Sequence, residues 1–334
     1  MTTIPRPFVV ALAAAATVAV VSSCSHTHGS GDPALASQNR REYMMARYAN
    51  PATGTVPDNV RAMEMAFAAT MPGAFAPDKP YDATQSGAFE QRGPWNVGGR
   101  TRAFAIDVAN DQTFIAAGVS GGIWRTTNAG VTWVKTTAPD QIHAVTSLTQ
   151  DPRPGKTQTW YAATGEIWGN SAQISGNGIW KSTDNGLSWF PLTSTISATE
   201  PSGNAFAYAW RIVVNPTAQA DEVYVATARN GIQRSTDGGQ TWRSVVASGS
   251  LFTDIIVTPS GTFYASGSAF TGGQLNTRGG IWRSTDGATW VDISPADLPA
   301  NVRRIVLAVA PSDERQLYVI AETPNVGTVG KFIL

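Results

Sequence analysis

The chain has 334 residues with 24 basic and 24 acidic side chains, so it lacks the net positive field that draws proteins to nucleic acid or anionic membranes. Its 42% apolar content supports a folded core, and 14% charged residues is too few for a disordered or nucleic-acid-coating protein. With 32 glycines and 20 prolines the chain needs many turns, which disfavours a helical bundle and leaves an all-β protein of short strands.

In chain order, the first feature is a secretion-type leader. Arg6 supplies a positive start, residues 8–21 are almost unbroken apolar, and Val21-Ser22-Ser23 places small residues before Cys24, the single cysteine. This resembles the bacterial lipoprotein signal over residues 1–23. The resemblance implies cleavage and acylation at Cys24, a membrane attachment through lipid, and export to the outer membrane, since Ser25 rather than Asp follows; the cell surface or periplasm are the wider expectation. An ordinary secretory signal or an uncleaved anchor are the alternatives, although the apolar run is short for a spanning helix.

Residues 24–91 read as a tether. Residues 25–36 are Gly-, Ser- and His-containing and flexible in composition. His26 and His28 are two metal-ligand types in a floppy segment, too few for a built site, so no metal and no cofactor are expected. Two short helices follow, one over residues 40–48 and one starting at Asp58 that places Val60, Met63, Phe67 and Met71 on one face. That face reads as a collar packed against the following domain.

From residue 92 the chain repeats itself. Four segments superpose, starting at Gly122, Gly178, Gly231 and Gly280 and closing on Trp133, Trp189, Trp242 and Trp290, which lie 56, 53 and 48 residues apart. Each is a hairpin in pattern: Gly-Ile-Trp-Arg alternates across a strand, and Ser-x-Asp-x-Gly is turn chemistry before a returning aromatic. Ser182, Asp184 and Gly186, then Ser235, Asp237 and Gly239, carry the pattern in full. The first copy has Asn128 and Gly130, with Thr126 for Ser, and the fourth has Ser284 and Asp286 but is one residue short. Seven of the 11 tryptophans sit in these segments, so they read as packing residues rather than as a sugar platform.

The run Ser-x-Asp-x-Gly-x-Thr/Ser-Trp resembles the Asp-box, or BNR, repeat, over about residues 93–334. The resemblance implies a β-propeller of four-stranded blades, as in sialidases, sortilin-type receptors, xyloglucan-active glycoside hydrolases and photosystem II assembly factors. Together with residues 93–102 and Ala163-Thr-Gly-Glu166, it is most similar to the sortilin-like, glycosyl-hydrolase-type propellers of bacterial envelopes.

Between the boxes, inner strands are expected at residues 102–108, 144–150, 211–215, 254–258 and 304–310, with partners at 113–117, 159–163, 222–226, 262–265 and 316–321. That makes four blades and a begun fifth, an array expected to be incomplete over residues 92–334.

Three constellations could carry chemistry. The box aspartates fall at separate hairpin turns and read as turn stabilisers. A glycosidase acid pair needs two carboxyl groups about 5–9.5 Å apart. The resemblance places one such acid where this chain has Ser120, and Glu166 is then the weak remaining catalytic candidate. Finally, 19 of the 24 basic residues are arginines, and strand alignment brings Arg100, Arg102, His143, Arg211, Arg303 and Arg304 to one end of a central channel beside Asp254. Guanidinium forks suit carboxylate or phosphate capture. The reading is an envelope-anchored binding or assembly module for a glycan or protein partner, possible acidity of that partner following from the arginines, with no nucleic acid; the alternative is a glycoside hydrolase of sialidase or xyloglucanase type.

Overall fold

The computed structural model describes residues 99–322 apart from 139–140, 142–143, 167–173, 197–203, 272–273, 276–278 and 311, together with residues 42, 43, 46, 47, 49, 50, 52–55, 63, 66, 67, 70, 332 and 333. The leader and Cys24 lie outside the described residues. Two compact units divide the chain, Met1–Val56 and Pro57–Leu334. In the first, Glu42, Tyr43, Ala46 and Arg47 are helical. In the second, Met63, Ala66, Phe67 and Thr70 are helical, but Met63 and Phe67 are exposed, so the collar expectation fails at these two side chains.

The described residues of the second unit from Gly99 onward form a β-propeller array. Blade 1 comprises β1 (Thr101–Asp107), β2 (Asn110–Gly118), β3 (Gly122–Thr126) and β4 (Val134–Lys135). Blade 2 comprises β5 (Val145–Gln150), β6 (Trp160–Thr164), β7 (Ile179–Ser182) and β8 (Phe190–Pro191). Blade 3 comprises β9 (Ala209–Val214), β10 (Val223–Thr227), β11 (Gly231–Ser235) and β12 (Arg243–Val246). Blade 4 starts with β13 (Thr253–Val257) and β14 (Phe263–Gly267), carries an inserted two-stranded hairpin of β15 (Phe270–Thr271) and β16 (Gln274–Leu275), and ends with β17 (Gly280–Ser284) and β18 (Val291–Asp292). A three-stranded fifth sheet holds β19 (Arg304–Ala310), β20 (Asp313–Glu322) and β21 (Phe332–Ile333). Successive strands of each blade pair antiparallel, β14 pairing with β17 across the inserted hairpin.

The inner strands start and stop within about two residues of their expected places, because an apolar alternation followed by a turn leaves little freedom of register. Alternate faces of each sheet then bury against neighbouring blades. Ala103, Ile115 and Ile123 of blade 1 meet Trp160, Trp180 and Trp189 of blade 2. Tyr161 and Ile179 of blade 2 meet Ile212 and Val223 of blade 3, and Tyr224 and Ile232 of blade 3 meet Ile255 and Phe263 of blade 4. Side-chain hydrogen bonds stitch the inner strands as well: Thr146 Oγ1 donates to the Ala209 carbonyl at 2.6 Å.

The boxes close the hairpins between third and fourth strands. Ser182 Oγ donates to Asp184 Oδ1 at 2.7 Å, while Asp184 Oδ1 accepts the N–H groups of Leu187 and Ser188 at 3.1 and 3.0 Å. Asp237 repeats this with Ser235, Gln240 and Thr241. Thr126 and Asn128 reproduce the arrangement in the first box, since a hydroxyl and an amide oxygen can play the same parts: Thr126 Oγ1 donates to Asn128 Oδ1 at 2.8 Å, which accepts Thr132 N–H at 2.9 Å. The shorter fourth box keeps the bonds but moves them one residue closer, to Ala288 and Thr289. Gly239 in the third box has φ +97°, and a Cβ there would sit 2.4 Å from Leu192 Cδ1 of the preceding blade, so glycine serves both the turn and the blade contact.

Candidate functional site

Antiparallel succession puts the connections from second to third strand, and from one blade to the next, at one end of the propeller. The boxes and the turns between first and second strands lie at the other. The first end carries the longest connections, residues 165–178, 192–208, the inserted β15–β16 hairpin and residues 293–303, whereas those at the box end are no longer than residues 151–159. Long loops displayed by a rigid sheet scaffold are where binding residues collect.

The first residues of the inner strands open into a cavity of about 240 Å³ at this end, lined by all five inner strands. Arg102, Arg211 and Arg304 line it with Asp254, Trp210 and Phe104. Residues separated by up to two hundred positions in sequence become neighbours here, because each blade delivers the same strand position to the channel.

Asp254 is the only acid lining this cavity among the described residues, and it is buried. Its Oδ1 pairs with Arg211 Nε at 3.1 Å and accepts its neighbour Ile255 N–H at 3.0 Å. Its Oδ2 accepts Leu307 N–H at 2.9 Å. Burial pushes the Asp254 carboxyl above its ordinary range, with Arg211 and the two backbone donors opposing that rise. The Arg304 guanidinium lies over the Trp210 ring, 5.6 Å from its centroid. Burial pushes Arg304 down to about 10; Asp254 opposes the change, and Arg102 and Arg211 add repulsion to it. Three guanidinium groups and one carboxylate line the cavity, and Glu166, outside the lining, pairs with Arg102 and offsets a second positive charge.

Of the arginines expected at the channel mouth, Arg102, Arg211 and Arg304 are brought together. Arg100 lines a second cavity of about 410 Å³ with Ser120, Gly121, Trp124 and Trp133, and it shares the Glu166 carboxylate with Arg102. Arg303 also departs from the expectation, since the strand alternation turns it away from the channel, exposed, with Nη1 4.0 Å from Glu322. His143 lies outside the described residues.

Glu166, the weak catalytic candidate, is 1% exposed and accepts hydrogen bonds from Arg100 Nη2 and, at 2.9 Å, from Arg102 Nη2. A carboxylate held between two guanidinium groups anchors the blade 2 loop to the start of β1 and is shielded from a substrate. The acids of the boxes stay at their separate turns, and Ser120 is exposed on the tight turn between β2 and β3. Two features escaped sequence reasoning. Trp210 directly precedes Arg211, and its place beside Arg304 depends on a strand almost a hundred residues later. The link from Glu166 to Arg100 and Arg102 needs two loops from different blades to meet.

No family model matches the chain. A xyloglucanase of Paenibacillus sp is 28% identical over 233 residues, covering 60% of this chain and 22% of that protein. A xyloglucanase of Acetivibrio thermocellus is 27% identical over 246 residues, covering 64% and 28%. The crystal structure of an ancestral GH74 enzyme superposes with a TM-score of 0.50 at 17% identity, over 68% of this chain and 30% of that one. The matched region thus spans about a quarter of the length of the curated relatives, and the chain is similar in sequence to part of the xyloglucanases and in fold to β-propellers of that class.

Proposed function

We propose that the channel mouth is a binding site for an anionic glycan, presented by an envelope-anchored propeller of Asp-box type. The observation that carries this reading is the convergence of Arg102, Arg211 and Arg304 on one cavity, with Asp254 as the single described acid in its lining. Planar guanidinium groups recognise carboxylate oxygens two at a time, and Trp210 and Phe104 offer apolar surface of the kind on which sugar rings rest. Similarity to xyloglucanases supports a glycan as the ligand class. The serine and aspartate bonds of the hairpin turns support the Asp-box reading, and the leader ending at Cys24 supports export and lipid anchoring.

The second reading, a glycoside hydrolase, is favoured by the same similarity. It requires two acids across one bond, whereas Glu166 is occupied by Arg100 and Arg102, and Ser120 stands where the resemblance places an acid. One preparation tests both readings: titration with uronic-acid-containing and neutral oligosaccharides, alongside reducing-end release from xyloglucan. Anionic binding that weakens at least tenfold in Arg304→Gln, with no hydrolysis, supports the binding module. Turnover of xyloglucan at the rate of a hydrolase would replace it with the enzyme reading, and equal affinity for neutral and anionic oligosaccharides would remove the role of the arginines.

A further inference from the structure

The fourth residue of the repeated hairpin run is arginine in three blades, Arg125, Arg234 and Arg283, and lysine only in blade 2, at Lys181. Strand register sets Arg234 opposite Tyr224 and Lys181 opposite Tyr161, so the two basic side chains occupy equivalent places. An arginine stays charged at any pH a protein experiences. A lysine amine titrates and, once neutral, is a nucleophile.

In blade 3 the Arg234 guanidinium lies over the Tyr224 ring, 5.7 Å from its centroid, and its Nε donates to Glu222 Oε1 at 2.9 Å. Blade 2 keeps the ring and lacks the carboxylate. Lys181 Nζ stands 5.1 Å from the Tyr161 centroid, but the residue two before that tyrosine is Thr159, where blade 3 has Glu222. Lys181 is partly buried, and the turn of the third box walls it in: a Cβ on Gly238 would lie 3.3 Å from Nζ.

The carboxylates around this amine are already engaged. Asp151 holds Arg153 Nη2 at 2.5 Å, and Asp221 holds the same nitrogen at 2.8 Å and Lys156 Nζ at 3.1 Å. The described cluster thus sets three cations, Arg153, Lys156 and Lys181, against two carboxylates, and Lys181 is the surplus one. Burial pushes its amine below the ordinary lysine range; Asp221 opposes that change and Lys156 adds to it. Asp221 and Lys156 are 35% and 48% exposed, so this cleft between blades 2 and 3 opens to solvent.

We propose that Lys181 is an acylation site, a nucleophilic amine that takes a small acyl group from an activated donor of the acyl phosphate class. The lone pair of the neutral amine attacks the acyl carbon and forms the amide N–C bond. The C–O bond to phosphate breaks, phosphate leaves with its electron pair, and the proton shed by the nitrogen goes to water. The product is uncharged, so Arg153 and Lys156 then face two carboxylates with no cation in excess. Lys156 at the rim draws an anionic donor toward the cleft.

Trace labelling with isotopic acetic anhydride, read by peptide mass spectrometry, compares Lys79, Lys135, Lys156, Lys181 and Lys331 in one sample. Near neutral pH Lys181 should react about tenfold faster than Lys135 and Lys156, the effect of one unit of pKa on the neutral fraction, and its rate should level off at a lower pH than theirs. Acetyl phosphate should place its first acetyl group on Lys181. Thr159→Glu supplies the carboxylate that blade 3 has and should bring the Lys181 rate down to that of Lys135, which itself stays unchanged. Lys181→Arg, the residue of the other blades, should keep the fold and remove the fast site. The wild-type comparison decides the matter even where Thr159→Glu fails to fold. A Lys181 rate no greater than that of Lys135, a first acetyl group on another lysine, or a folded Thr159→Glu variant that reacts as wild type would each overturn the proposal.

Discussion

Asp254→Ala is the most revealing single change at the channel mouth, because this carboxylate joins three blades. Its two oxygens hold Arg211 of blade 3, the Ile255 N–H of blade 4 and the Leu307 N–H of the fifth sheet. Alanine leaves two backbone donors without their acceptor and Arg211 without its counter-ion. An orphaned buried donor costs about 1–3 kcal/mol, and losing one partner of a fully buried pair costs about 3–5 kcal/mol. The Arg211 side chain is 34% exposed, so water takes up part of that cost. The expected loss is about 2–4 kcal/mol, or a fall in Tm of about 4–16 °C for a domain of this size. Urea denaturation of Asp254→Ala, Arg211→Ala and the double variant measures it directly. The two changes should couple by about 1–3 kcal/mol, with the double variant less damaged than the sum. A loss below about 0.5 kcal/mol, or additivity within about 0.3 kcal/mol, would refute the three-blade role.

The box aspartates make a pH prediction. For Asp184 and Asp237 burial works upward, but the hydrogen bonds from their serine, threonine and backbone donors outweigh it; for Asp286 the backbone bonds from Thr289 and Ala288 lead. All three carboxyls therefore lie below their ordinary range, so their contribution is complete above about pH 4 and is lost as pH falls toward the folded-state values. Asp254 has the opposite sign, its raised carboxyl losing stability as pH rises through the folded-state value. Tm measured from pH 6 to pH 2 should fall steeply in the wild type and less steeply in Asp184→Asn/Asp237→Asn/Asp286→Asn; parallel curves would count against the hydrogen-bond explanation. Gly287→Ala should cost about 2–4 kcal/mol, because φ is +65° and the new Cβ meets the fully buried Tyr224; a Tm within 1–2 °C of wild type would contradict this. Mass spectrometry of the mature N-terminus should show an acylated Cys24, and an unmodified terminus elsewhere would point to the ordinary secretory alternative.

Local chemistry made much of the fold legible in the sequence. Residues 122–133 and their three repeats encode a hairpin by alternation and by a turn whose bonds all lie within about four residues, so the boxes, the five inner strands and the begun fifth sheet could be placed without tertiary information. Arginines at the starts of inner strands were legible for the same reason, since a repeat carries each strand position to an equivalent place around the channel. What the sequence could not decide was which arginines share a cavity and which have been claimed by a carboxylate. Arg102 and Arg303 both stand near the start of an inner strand, but a one-residue difference in strand phase sends them to different surroundings. Glu166 looked available in its loop, and only the meeting of that loop with the start of β1 showed it buried between Arg100 and Arg102. Tertiary structure alone also separated Trp180 from Trp124: both close the run Gly-Ile-Trp at the same strand position, and their burial differs because a neighbouring blade stands over one of them.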